Sequence, residues 1–169
     1  MRWLRRLFDA LRGLLGMRVP PVPRDPAVLP PIGVVRNNVR EPRMNGWEQL
    51  RSDLIFRDDL IDALDGIETY SHVIVVFQIH RVPEEERTTG HIHPRGDLAL
   101  PEQGVLATRS QRRPNAIGIT VVPLLRRRKN ILRVRGLDAI DGTPVLDIKP
   151  YIPHYDSVPD AKVPGWTKR

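Results

Sequence analysis

From residue 32 onward the apolar positions fall in seven short runs, at 32–35, 54–56, 73–79, 104–107, 117–125, 131–134 and 145–148. Gly, Pro, Asn or Asp punctuates most of the gaps between them. Runs of this length bounded by turn residues read as strands. The run VIVVFQI at 73–79 is apolar almost throughout, which marks it as a central strand. Leu132, Val134 and Gly136 instead alternate with Arg133 and Arg135, the period of a strand with one face in water. One short helix is predicted over 58–64, where Asp58 and Asp59 occupy the first turn and Gly66 follows the end. Seven strands with almost no helix between them predict an all-β (β-rich) fold, an antiparallel barrel or sandwich.

The first sixteen residues follow a different period. Trp3, Leu4, Leu7, Phe8, Leu11, Leu14 and Leu15 fall at helical spacing, while Arg2, Arg5, Arg6, Asp9 and Arg12 lie largely on the other side. Residues 1–18 therefore read as a basic amphipathic helical extension, suited to an anionic membrane surface, a partner subunit or RNA. Charge interrupts the apolar run too often for it to span a bilayer, and no small-residue cleavage site follows, so secretion is not expected. Residues 19–31, VPPVPRDPAVLPP, form a proline-rich linker, because proline lacks the amide that a helix interior or central strand requires. The globular domain is expected over 32–166, with 167–169 as a tail.

Composition narrows the chemistry. The 169 residues contain no cysteine, so neither a disulfide framework nor a thiolate metal site exists, and a cytoplasmic location is expected. Lys plus Arg number 27 against 20 Asp plus Glu, and the excess is almost wholly arginine, whose planar fork pairs with phosphate and stacks on bases. No G-x-G-x-x-G and no G-x-x-x-x-G-K-[ST] occurs, which argues against a doubly wound nucleotide fold. His91-Ile-His93 has no H-E-x-x-H or spaced carboxylate beside it, and no metal is expected. Ser110 lacks the glycines of a nucleophile elbow.

Two segments are dense in charge. Arg109, Arg112 and Arg113 surround Ser110 before Pro114-Asn115 turns the chain. Three guanidinium groups on one loop call for an acidic partner, either an anionic ligand or Asp138, Asp141 and Asp147 of the same chain. Those three aspartates crowd into ten residues with Gly142 and Pro144. They suit Asx-type turn bonds, or the binding of a ribose, an adenine amine or a sulfonium by one of them.

The blocks PIGVVR (31–36), GIETYSHVIVVFQIHR (66–81), HPRG (93–96), GVLATRSQRRPNAIGIT (104–120) and GLDAIDGTPVLDIKPY (136–151) together resemble the TsaA-like, or TrmO, family in order and spacing. The resemblance implies a small antiparallel β-barrel that binds S-adenosyl-L-methionine and works as a homodimer. It also implies an activity, methylation of the exocyclic nitrogen of N6-threonylcarbamoyladenosine next to the anticodon of a tRNA. At matching positions it implies a donor site of Pro42, Arg43, Met44, His80, Arg81, Arg109, Ile119, Arg135, Gly136, Leu137 and Asp138. His80 and Asp138 are the candidate catalytic bases, and Arg112, Arg113, Asn115 and Lys149 the candidate RNA contacts. Gln111-Arg112 and Ala116 depart from the family pattern of an aromatic or proline beside ATRS and a second proline after the asparagine, which suggests a loop shaped for RNA. The rival reading is a non-catalytic RNA- or nucleotide-binding barrel.

Overall fold

The computed structural model describes residues 29–167. The predicted N-terminal helix and most of the proline-rich linker lie outside them. Six strands close a barrel: β1 (Gly33–Arg36), β2 (Arg51–Phe56), β3 (His72–Gln78), β6 (Ile117–Arg128), β7 (Ile131–Arg135) and β8 (Pro144–Pro150). Around the barrel they run β1-β2-β7-β6-β3-β8, every neighbour antiparallel. Two short strands, β4 (His91–Ile92) and β5 (Gln103–Gly104), pair separately within the long connection from β3 to β6.

The period of two decides which side chains fill the barrel. Leu54 and Phe56 of β2, Val73, Val75 and Phe77 of β3, and Leu132 and Val134 of β7 are buried, and with Val35, Val122 and Val145 they form one core. Between them on β3, Ile74 and Val76 are only half-buried, so the continuous apolar run is a barrel strand with two unequal faces. Phe77 reaches across to β6 at Gly118, its register partner. A Cβ at Gly118 would collide with the Phe77 ring, which is why this position carries no side chain.

Two local expectations need correction. The strand expected at 104–107 ends at Gly104, and Val105–Ala107 is a single 3-10 turn. The Val105 amide bonds to the Gly90 carbonyl, and the Thr108 hydroxyl closes the turn on the Val105 carbonyl, so no ladder can continue. The helix expected at 58–64 is two successive 3-10 turns, Asp58–Leu60 and Asp62–Leu64. The Ile61 amide bonds to the Asp58 carbonyl and the Leu64 amide to the Ile61 carbonyl, each three residues back, and Arg127 also takes the Ile61 carbonyl at 2.8 Å. The α-helix among the described residues is instead α1 (Pro153–Asp156), one turn after β8.

Candidate functional site

Antiparallel order places the ends of β1, β3 and β7 and the starts of β2, β6 and β8 at one end of the barrel. The connections there, 37–50, 79–116 and 136–143, carry Pro42, Arg43, Met44, His80, Arg81, Arg109, Arg112, Arg113, Asn115, Gly136, Leu137 and Asp138. Arg135 ends β7, and Ile119 lies near the start of β6. Lys149 is not brought to this end. It sits near the far end of β8 opposite Ile74, and its ammonium pairs with Asp147 at 2.8 Å.

Strand β6 is longer than either neighbour. It pairs with β3 over Ile117–Pro123, but its register with β7 starts only at Leu124. On the first part of β6, therefore, one flank is not laddered to β7, and backbone groups there are available to other partners. Arg109 donates from Nη2 to the Ile119 carbonyl at 2.6 Å. The Thr120 hydroxyl donates to Oδ1 of Asp138 at 2.5 Å. The Arg109 loop and the Asp138 loop thus converge on two consecutive residues of one strand.

The segment 136–141 reaches that position through Gly136, which turns the chain with φ of 84° and donates its amide to the Leu50 carbonyl at 2.8 Å. Leu137 and Ala139 are buried in the core, so the intervening Asp138 faces outward and is exposed. Leu137 accordingly offers a ligand only its main chain. The other two aspartates are occupied. The Asp141 side chain, 9% exposed, accepts the Asn37 amide at 3.1 Å and pairs with Arg40 at 3.1 Å and Arg36 at 3.6 Å. Asp147 holds Lys149. Asp138 is the carboxylate of the three whose recorded partner is a neutral hydroxyl.

The arginine loop does not pair with these aspartates. Arg112 pairs with Glu86 at 3.4 Å, and Arg113 donates to the Thr108 carbonyl at 3.3 Å. The Asn115 carbonyl accepts the Ile117 amide at 2.8 Å and starts β6.

His80 follows β3, where the Ile79 amide bonds to the Ala116 carbonyl at 2.7 Å beside the start of β6. Burial first, then the charge of Arg81, pulls its imidazole below the ordinary histidine value, against a weaker opposing hydrogen bond that the ring donates to the Gln78 main chain. At neutral pH the ring is thus an uncharged acceptor. Arg81 pairs with Glu41 at 2.8 Å, which ties the end of β3 to the 37–50 connection just before Pro42. Arg43 lies over the Trp47 ring at 4.7 Å and donates to the Gly46 carbonyl, while Met44 is exposed.

Three positions that build the site were not singled out in the sequence: Glu41, Thr120 and Asn37, whose amide donates to the Ala139 carbonyl at 2.9 Å. Thr120 keeps the alternation of β6, opposite Val75 and on the face of Gly118 and Val122, and nothing in its neighbouring positions marks its hydroxyl as a partner for Asp138. Among the described residues no three histidine or carboxylate groups gather to hold a metal.

The family described as tRNA-methyltransferase O N-terminal domain matches residues 36–157. The chain belongs to this family. A probable S-adenosyl-L-methionine-binding protein of Methanothermobacter thermautotrophicus is 39% identical over 132 residues, covering 76% of this chain and 92% of that one. The tRNA (adenine(37)-N6)-methyltransferase of Escherichia coli is 39% identical over 143 residues, 77% of this chain and 60% of that one. The crystal structure of TrmO from Pseudomonas aeruginosa superposes with a TM-score of 0.68 at 33% identity, covering 88% of this chain and 65% of that one. The chain therefore spans under two thirds of these two bacterial proteins and most of the archaeal one. The barrel expected of a TrmO-family member is the barrel observed.

Proposed function

We infer that this chain binds S-adenosyl-L-methionine at the β6 end of the barrel and transfers its methyl group to the N6 nitrogen of an adenosine in tRNA. We further propose that the adenosine is N6-threonylcarbamoyladenosine next to the anticodon, and that the reaction takes place in the cytoplasm. The observation that carries the reading is the convergence of Arg109 and Asp138 on Ile119 and Thr120, at the stretch of β6 that β7 does not pair. Such a stretch offers main-chain donors and acceptors to the edge of an adenine, next to exposed Ile119 for its face. Asp138, with no cation paired to it among the described residues, suits a ribose hydroxyl pair, an amine or a sulfonium. The chemistry of these donors fits the group.

Bound there, S-adenosyl-L-methionine supplies a methyl activated by a sulfonium. The protein's own task is then alignment: Arg109 fixes the loop over β6, Gly136 and Leu137 set the height of Asp138, and the Arg81–Glu41 pair holds the Pro42 connection against the end of β3. The acceptor nitrogen must lose a proton, and a neutral His80 or the Asp138 carboxylate takes it, for a gain of about 10²- to 10⁴-fold. His80→Ala and Asp138→Ala test this. Loss of turnover at saturating donor supports the base role, whereas loss of donor affinity with turnover retained removes it. Calorimetry with S-adenosyl-L-methionine separates the enzyme from a barrel that binds RNA alone, which would give no heat. Mass spectrometry of tRNA nucleosides from a deletion strain identifies the product, and an unchanged methylation pattern would overturn the substrate.

A homodimer is supported by the outer face of β6, where Ile117, Val121 and Leu125 are exposed beside Ile119 in a row too apolar for an ordinary barrel wall. Val121→Lys should convert a sedimenting dimer to monomer, and an unaltered sedimentation coefficient would exclude that face.

A further inference from the structure

Arginine is this chain's dominant charge, and most of its guanidinium groups are accounted for. Among the described residues, Arg36, Arg40, Arg57, Arg81, Arg112, Arg127 and Arg133 pair with carboxylates. Arg43, Arg87, Arg95, Arg109 and Arg113 donate to backbone carbonyls. Among the same residues Arg51, Arg126, Arg128 and Arg135 have neither kind of partner, and all four are exposed on the same outer wall, that of β2, β7 and β6.

The register presses like charges together on this wall. Arg51 lies directly opposite Arg135, and Arg126 directly opposite Arg133. Directly opposed like charges destabilise a sheet, so an arrangement of this kind is one that an anion relieves. Asp53 is the carboxylate on the wall, and both its oxygens are taken by Arg133 at 2.7 Å. Between Asp53, Arg126, Arg128, Ile131 and Arg133 lies a depression of about 150 Å³. That is room for a phosphate group with several waters, each taking ~30 Å³ in the liquid.

The direction of the strip matters as much as its charge. It begins at Arg135 and Arg51, at the barrel end that holds Asp138, and runs to Arg126 and Arg128 beside the β6–β7 hairpin, roughly 13 Å further along β7 at ~3.3 Å per residue. Arginines two residues apart on one strand stand roughly 6.6 Å apart, on the order of the spacing of successive phosphates along a nucleic-acid strand. An anionic membrane would want an apolar edge to insert among the charges, and here Ile131 is half-buried between arginines.

We propose that this wall is a second contact surface for the RNA substrate, gripping the phosphate backbone that flanks the nucleotide held at the donor end. The proposal rests on the reading that the substrate is an RNA. Arg51→Gln/Arg126→Gln/Arg128→Gln in the full chain tests it, leaving the Arg133–Asp53 pair and Arg135 in place. The control removes three cations elsewhere, Arg57→Gln/Arg95→Gln/Lys162→Gln. Binding of total tRNA is measured from 50 to 300 mM salt, beside calorimetry with S-adenosyl-L-methionine. The wall variant should bind tRNA about 10- to 100-fold more weakly at 150 mM salt, and its log–log salt slope should flatten by about 2 to 3. Donor affinity should stay at the wild-type value, and the control should change tRNA binding less than about threefold. A wall variant that binds tRNA as the control does, while the wild type methylates tRNA, overturns the wall and leaves the enzymatic reading standing. A wild type that binds the donor but no tRNA overturns both. Loss of binding to phosphatidylserine vesicles with tRNA binding intact would make the wall a membrane face and overturn the proposal.

Discussion

Gly118→Ala is the sharpest test of how the core and the donor end are joined. Gly118 pairs with Phe77 across β3 and β6, and an added methyl would occupy the space of the Phe77 ring. Phe77 is 4% exposed and has no open side to move into, so the ring or the strand must shift. Overpacking of this kind costs about 1–3 kcal/mol, offset in part by about 0.4–1 kcal/mol from the stiffer unfolded chain. The backbone at Gly118 is not left-handed, so strain adds nothing. A net loss of about 1–2 kcal/mol lowers Tm by roughly 3–8 °C for a domain of this size. Gly118 immediately precedes Ile119 and Thr120, whose carbonyl and hydroxyl hold the Arg109 and Asp138 loops, so donor affinity should fall with stability. Phe77→Leu in the same chain vacates the space. Chemical denaturation and calorimetry on the four members of the cycle should give a favourable coupling of about 1–2 kcal/mol and recovered donor affinity in the double variant. If Gly118→Ala unfolds at the wild-type midpoint, or Phe77→Leu fails to relieve it, the jigsaw contact between β3 and β6 is not what shapes the site.

Thr120→Val keeps the shape of the side chain but removes the hydroxyl that orients Asp138; donor Kd should rise about 5- to 20-fold with stability nearly unchanged, measured by calorimetry and denaturation. Asp147→Ala should leave donor affinity unaltered, because the Asp147 carboxylate is already held by Lys149 at 2.8 Å, and a loss comparable to that of Asp138→Ala would mean the wrong carboxylate has been chosen. The pH profile follows from His80. Its pKa is lowered, so the neutral, proton-accepting form persists below the ordinary histidine range. The acid limb of kcat/KM should therefore fall below that range and the rate should be level from pH 7 upward. Arg81→Gln removes the neighbouring positive charge and should move the limb toward higher pH; a limb that stays in place would remove Arg81 from the cause.

The fold was legible in the residues because barrel strands announce themselves locally. The alternation at 131–135 and the apolar run at 73–79 reflect only which face of a strand meets the core, and that is written in neighbouring positions. The blocks around Arg109 and Asp138 were equally legible as unusual sequence, and the family resemblance attached a donor site to them. What could not be read was partnership. Asp138, Asp141 and Asp147 look alike in the chain. Only folding brings Arg36 and Arg40 to Asp141, and places the Thr120 hydroxyl beside Asp138. The same holds for the arginines. Arg126, Arg127 and Arg128 are consecutive, yet Arg127 turns to Asp65 and Glu68 while its neighbours stand unpaired opposite β7. Charge acts through space over a few ångströms, and strand pairing joins residues 80 or more positions apart. The sequence by itself therefore determined the strands, the arginine excess and the family. Which charges are satisfied, and which remain open to a ligand, was decided by the closure of the barrel.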